Sequence, residues 1–237
     1  MIFTAMKRSQ KKSLNLISVR IVQELISPKK IVKNSKIFGI SSPIKSVDAI
    51  ALGVSEVKLL EITSAYASIA NNGILSAPIS IIRIEDRNGQ LIKDFYPKSQ
   101  EIKDENLIYL LRDMMRSVVD KGTGSALRWK YKFNAPAAGK TGTTNSKTDA
   151  WFVGFTPQLA IGVWVGMDNP AISLGEKQYG SSAALPIFAK SIKEIYSLGE
   201  FTYLDESVEL NSKLDWYPPK GIVRKDICSD TYKLATN

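Results

Sequence analysis

Between Asp149 and Met167 the sequence alternates twice. Trp151, Val153 and Phe155 alternate with Ala150, Phe152 and Gly154, and Ile161, Val163 and Val165 alternate with Gly162, Trp164 and Gly166. Thr156-Pro157-Gln158 separates the two runs. A period of two over short runs split by a turn predicts two antiparallel strands. This hairpin limits what the eight residues before it, 138–145 (AGKTGTTN), can be. A phosphate-binding loop needs Gly-x-x-x-x-Gly-Lys-Ser/Thr and opens a helix, because its backbone N–H groups must converge on one phosphate. Here the first position is Asn134, Pro136 removes a donor, and strands follow instead of a helix.

Elsewhere the pattern is mostly helical. Leu14, Ile17, Ile21 and Leu25 form a stripe that Ser27-Pro28 ends, with Ser13 near its start. Residues 46–53 read as a loop. Residues 56–72 read as a helix stopped by Asn71-Asn72-Gly73, and residues 105–119 as another, before Gly122-Thr123-Gly124. Arg87-Asn88-Gly89 sits between strand-like runs 79–85 and 90–96, a strong hairpin signal. A Gly/Ser-rich stretch at 175–184 precedes a helix over 185–196, and from 198 onward the pattern weakens into linker around Tyr217-Pro218-Pro219. Helices around antiparallel hairpins predict an α+β fold, an antiparallel sheet flanked by helices.

Composition removes several chemistries. The 237 residues contain no histidine, which excludes Ser-His-Asp and Cys-His catalysis and most zinc sites. Any base must be Lys, Asp, Glu or Tyr. The one cysteine, Cys228, cannot form an internal disulfide. The net charge of +9 is scattered except for Lys7, Arg8, Lys11 and Lys12, which read as a solvated, poorly ordered leader over residues 1–12 rather than a nucleic-acid contact. No apolar run is long enough to span a bilayer, and the first residues do not have the charge order of a signal peptide.

The motifs together carry a resemblance. Lys140-Thr141-Gly142-Thr143-Thr144, the run from Asp149 through Pro157, and Gly162-Val-Trp-Val-Gly166 resemble the transpeptidase domain of class A penicillin-binding proteins. Lys-Thr-Gly is one of three signatures of that superfamily, beside Ser-x-x-Lys and Ser-x-Asn. Ala51-Leu-Gly53, Ser64-Ala-Tyr-Ala67, Ala70-Asn-Asn-Gly73, Gly122-Thr-Gly124 and Ala183-Ala-Leu-Pro186 follow the family's text in order. The likeness covers roughly residues 10–197, and residues 221–236 resemble the family's C-terminal tail. Ser13-Leu14-Asn15 matches the Ser-x-Asn signature, although an N-capping serine is the plain structural reading of a lone Ser there.

The resemblance implies a β-lactamase-like transpeptidase fold, N-terminally truncated: a leader over 1–12, a partial transpeptidase domain over 13–197 and a tail over 198–237. It implies a D-Ala-D-Ala transpeptidase that cross-links peptidoglycan stem peptides by serine acyl transfer, binds β-lactams, uses no cofactor or metal, and sits on the periplasmic face of the inner membrane. In it Ser13 relays protons and Asn15 bonds the substrate's peptide carbonyl. Lys140 and Thr143 orient the terminal carboxylate, with Thr141 and Gly142 lining the strand. A cation and a hydroxyl suit that task, and the missing Cβ of Gly142 lets an extended substrate lie close. The Thr143 backbone N–H forms half of the oxyanion hole. Trp151 and Trp164 read as core or groove-wall aromatics, and Asp149 as a cap or pairing group at the strand entrance.

The pattern breaks at the nucleophile. Ser-x-x-Lys puts a serine and its base on consecutive turns, well ahead of Ser-x-Asn in this family. The four such strings, Ser9/Lys12, Ser27/Lys30, Ser42/Lys45 and Ser55/Lys58, are all misplaced. The expectation is therefore a chain without its nucleophile, inactive alone, with apolar surface exposed where a complementary N-terminal fragment would pack. The alternatives are a non-catalytic module binding wall peptide or a partner, and, on net charge only, a nucleic-acid-binding domain.

Overall fold

The computed structural model describes residues 2–169, 171–203, 206–225 and 228. Helices α1 (Ile2–Lys12), α2 (Asn15–Glu24) and α3 (Pro28–Ile37) come first, then a short 3-10 turn, Asp48–Leu52, and α4 (Leu59–Ala70). Strands β1 (Ile74–Ser76), β2 (Arg83–Glu85), β3 (Leu91–Asp94) and β4 (Ser99–Glu101) follow as nested antiparallel pairs, β1 with β4 and β2 with β3. Next come α5 (Glu105–Lys121), α6 (Ala126–Trp129) and the strands β5 (Ala138–Thr143), β6 (Asp149–Phe155) and β7 (Ala160–Gly166). A single π-helical turn, Gly180–Ala184, leads into α7 (Leu185–Leu198), and β8 (Glu200–Tyr203) pairs with β9 (Glu206–Glu209).

β5, β6 and β7 form one antiparallel sheet in that order, so β5 is an outer strand. Both faces of β6 are covered, which its continuous burial from Phe152 to Phe155 reflects. Phe152 meets Phe188 of α7 at 4.7 Å between ring centroids, and Leu127, Leu185 and Ile192 complete that layer. Phe155, three residues on, points to the other face. There it meets Tyr66 of α4 edge-on at 6.2 Å and Trp216 at 5.7 Å. Burying four or five such side chains at about 2 kcal/mol each dominates the sheet's stability.

α5 begins as its sequence predicts, with Asp104 accepting from the Asn106 and Leu107 backbone N–H groups. Asp86 likewise sets the β2–β3 turn by accepting from the N–H groups of Asn88 and Gln90, with Gly89 at φ 79°.

Four segments differ from expectation. The basic leader is not a disordered arm: it is α1, packed along α5, with Ser9 buried and Lys7 paired to Asp113 at 2.6 Å. A charged sequence folds here because α5 supplies both an apolar face and a carboxylate. The segments read as loop at 46–53 and Gly/Ser-rich at 175–184 each contain a helical turn. Past residue 198 the chain forms the β8–β9 hairpin and then returns to the core, where Trp216 Nε1 donates to the Ala70 carbonyl at 2.9 Å.

Apolar surface is exposed on the early helices. Leu16 is 71% and Leu25 64% accessible, and α3 has no buried residue. No helix among the described residues is long and apolar enough to cross a membrane.

Candidate active site

β5 brings the signature residues to the free edge of the sheet. Thr144 N–H donates to the Asp149 carbonyl at 3.1 Å, toward β6. Backbone groups alternate along a strand, so the N–H and C=O of Thr141 and Thr143 point away from β6. The Lys140 ammonium reaches that edge and donates to the Thr141 carbonyl at 2.9 Å. From the same position it donates to Ser13 Oγ, also at 2.9 Å, joining two residues 127 positions apart.

Ser13 sits in the turn between α1 and α2 with φ 52°, a left-handed conformation uncommon for serine. It does not cap the helix. Leu14 occupies the N-cap position and the α2 cap has no side-chain hydrogen bond. The Ser13 hydroxyl is thereby left to accept from Lys140. Asn15, the first residue of α2, is exposed one turn position beyond.

Lys140 is half-buried, and burial lowers its pKa from 10.5 to about 8. Its hydrogen bonds go to neutral oxygens, and among the described residues no carboxylate pairs with it. A partly desolvated cation with two neutral acceptors favours an incoming anion more than a fully solvated lysine does.

Thr143 lies on the opposite face of β5 from Lys140 and Gly142, since it pairs with Ala150 and they pair with Val153 and Trp151. The N–H of Gly180 donates to Thr143 Oγ1 at 2.9 Å. With that lone pair used, the hydroxyl hydrogen is available for an acceptor at the strand edge. Thr141 is engaged elsewhere: its Oγ1 lies 2.8 Å from Thr123 Oγ1. Thr123 is held in turn by the Lys11 carbonyl, which accepts its N–H at 3.2 Å. The expected substrate-lining role of Thr141 thus has a structural alternative, a tie between β5, the turn after α5 and the end of α1.

The glycine of the motif is explained by packing inside the chain. A Cβ on Gly142 would meet Trp151 Cβ at 3.1 Å, tight but not prohibitive. Gly180 is more constrained, because its Cβ would lie 2.5 Å from the Gly142 carbonyl oxygen. The π-helical turn therefore lies directly on β5. Asp149 accepts from Trp164 Nε1 and from Thr148 Oγ1, both at 2.8 Å, and Trp164 stands 6.2 Å from Trp151 across the hairpin. All three brace the strand entrance and contact none of Ser13, Lys140 or Thr143 through a hydrogen bond.

None of the four Ser-x-x-Lys serines has its hydroxyl bonded to its lysine ammonium; Ser27 meets Lys30 only through the backbone, its carbonyl accepting the Lys30 N–H at 2.9 Å. Buried Ser9 faces the Leu14 carbonyl at 3.4 Å, and Ser27 precedes α3 without a side-chain cap bond. Ser42 Oγ donates to Glu61 at 2.6 Å, and Ser55 Oγ accepts from the Lys45 N–H at 3.0 Å. Glu61 also accepts from Ser41 Oγ, and these donors hold its carboxyl at about 2. Two residues that matter to the geometry, Thr123 and Gly180, were not singled out by role in the sequence, although Gly122-Thr-Gly124 belonged to the resembling text.

Comparison with known proteins identifies the family. Residues 6–193 match the family model for the penicillin binding protein transpeptidase domain. The chain is 36% identical over 218 residues to penicillin-binding protein 1A of Rickettsia typhi, an alignment covering 81% of this chain and 27% of that protein. It is 37% identical over 186 residues to the penicillin-binding protein 1A of Aquifex aeolicus, covering 77% of this chain and 24% of that one. It thus spans about a quarter of the length of these relatives. In three dimensions it resembles the crystal structure of penicillin-binding protein 1A from Haemophilus influenzae, with a TM-score of 0.83 at 24% identity over 98% of this chain and 38% of that one. It also resembles the PonA1 protein of Mycobacterium tuberculosis in complex with penicillin V, with a TM-score of 0.67 at 23% identity over 80% of this chain and 55% of that one. A free strand edge carrying Lys-Thr-Gly, a Ser-x-Asn turn bonded to its lysine and a family match over most of the chain lead to one assignment: this chain belongs to the penicillin-binding protein transpeptidase family.

Proposed function

We propose that this chain is the carboxylate-recognising part of a D-Ala-D-Ala transpeptidase that cross-links peptidoglycan stem peptides, and that it does not complete acyl transfer alone. The observation that carries the reading is Lys140, a partly desolvated cation held by Ser13 Oγ and the Thr141 carbonyl at an open strand edge. A peptide laid along that edge puts its terminal carboxylate near Lys140 and the Thr143 hydroxyl, while Asn15 bonds its amide. The outward Thr143 N–H stabilises the oxyanion when the penultimate carbonyl is attacked. Ser13, already bonded to Lys140, passes the proton between the nucleophile and the leaving D-Ala nitrogen.

The attacking serine belongs to a Ser-x-x-Lys outside these 237 residues, a reading supported by the four strings here, none of which joins its serine hydroxyl to its lysine ammonium. A complementary segment supplies it, seated against the exposed Leu16 of α2, Leu25 just after it, and the half-buried apolar side chains of α3. On this reading residues 13–197 are the partial transpeptidase domain, 1–12 lead into it and 198–237 form a tail. The whole enzyme works on the outer face of the inner membrane, where β-lactams acylate its serine in place of the stem peptide.

The test is the intact mass of the purified chain after incubation with labelled penicillin, alone and mixed with the preceding transpeptidase segment of a matched relative. The expected result is no adduct on this chain in either tube and one adduct on the added segment's serine in the mixture. A stoichiometric adduct on a serine of this chain would overturn the split-site reading.

A further inference from the structure

We infer that the cavity between α1, α5 and the returning C-terminal segment is a binding site for a small polyanion carrying two or more oxyanion groups, such as a diphosphate. The cavity is about 710 Å³, and eight of its fourteen lining residues are Lys or Arg against three Asp. None of them belongs to the group formed by Ser13, Lys140 and Thr143, and the site does not depend on the function proposed above.

The three carboxylates are already matched. Asp113 pairs with Lys7 at 2.6 Å, both oxygens of Asp215 accept from Arg116 Nη1 at 2.8 and 2.9 Å, and Asp120 pairs with Arg128 at 2.9 Å. Lys11, Lys12 and Lys121 remain on the cavity wall with no carboxylate partner among the described residues. Solvated lysines alone would say little, but Arg112 adds a second observation. It lines the cavity while only 3% accessible, and its hydrogen bonds, to the Ile69 carbonyl at 3.1 Å and Asn72 Oδ1 at 2.8 Å, both run from Nη1 to neutral oxygens. A buried guanidinium is ordinarily matched by an anion. Here the rings of Tyr109 and Trp216 lie against it at 5.5 and 5.0 Å, and its Nε and Nη2 donors are left over. Those donors form the planar fork that suits an oxyanion. One oxyanion group would take the leftover Arg112 donors, whose charge Asp215 offsets only across space, and a second would meet the three lysines that no carboxylate pairs with.

Sodium pyrophosphate is titrated calorimetrically into the intact chain at low ionic strength, with the Arg112 Nε–H resonance followed by NMR. The parent is compared with a Lys11→Ala/Lys12→Ala/Lys121→Ala variant and with a Lys190→Ala/Lys193→Ala control on α7. Vesicles of anionic and of neutral phospholipid form a parallel arm that separates a soluble ligand from a lipid headgroup. The expected result is 1:1 binding that shifts the Arg112 resonance and weakens with salt. It should weaken about tenfold or more in the triple variant, at roughly two- to fivefold per lysine, and hold in the control. Binding to anionic vesicles with the same dependence on Lys11, Lys12 and Lys121 would support the site and name a headgroup as the source. No binding, an unmoved Arg112 resonance, or equal weakening in the control would overturn the proposal.

Discussion

Gly180→Ala should disrupt the site from a residue that would not itself touch substrate but holds Thr143, which would. The added Cβ would lie 2.5 Å from the Gly142 carbonyl oxygen and 3.1 Å from the Gly142 nitrogen, where real Cβ contacts essentially never fall below 3.0 Å. The obstacle is backbone of a paired strand, which cannot rotate away as a side chain would. The π-helical turn must therefore lift from β5. Overpacking of this kind costs about 1–3 kcal/mol, and the bond from Gly180 N–H to Thr143 Oγ1 contributes about 1 kcal/mol more. At about 2–4 °C per kcal/mol for a chain of this size, a loss of about 2–4 kcal/mol lowers Tm by roughly 5–15 °C. Thermal unfolding followed by circular dichroism measures it, with Ser181→Ala, which removes no hydrogen bond of the described structure, as the neighbour control. A Gly180→Ala chain that melts with the parent would show that the turn does not rest on β5.

Other outcomes follow from the same contacts. Phe152→Ala removes a fully buried ring packed at a tilt against Phe188 and should cost about 3–5 kcal/mol in denaturant unfolding. Lys140 has a folded pKa below its ordinary value, so the cost of burying its charge is complete below pH 8 and is relieved as pH rises toward 10.5. Lys140→Met should therefore stabilise the chain at pH 7, by about 1 kcal/mol once its partial exposure is allowed for, and the gain should vanish by about pH 10.5 in urea melts. Carboxylate binding to the parent should fall as pH rises through 8, as the ammonium is lost. Ser13→Gly removes the partner of Lys140 but suits a φ of 52°, so stability should stay within about 1 kcal/mol while peptide affinity drops about fivefold or more by calorimetry.

What was legible in the sequence follows from how local each signal is. The β6–β7 hairpin is written as a period of two with a proline turn, and α4 and α5 as apolar stripes with a stop or a cap, so each declares itself within a dozen residues. The site could be read because Lys140, Gly142 and Thr143 share one strand, and a fixed family order placed Ser13 ahead of them. α1 was not legible, since a basic run becomes a helix here through α5, more than ninety residues later. The Thr123–Thr141 and Gly180–Thr143 bonds were hidden for the same reason: each joins common residue types across segments 18 and 37 positions apart. The late β8–β9 pair and the docking of Trp216 depend on contacts to Gln158 and Ala70, which the local pattern does not announce.

Everything proposed for the strand edge turns on Lys140 meeting a peptide carboxylate. The most direct measurement is an NMR titration of the Lys140 side-chain resonances with an acylated D-Ala-D-Ala peptide and with the same peptide amidated at its C-terminus. The free carboxylate should shift the Lys140 signals saturably, and the amide, lacking the charge, should leave them in place. Equal shifts with both peptides, or none with either while the chain remains folded, would contradict this role of Lys140.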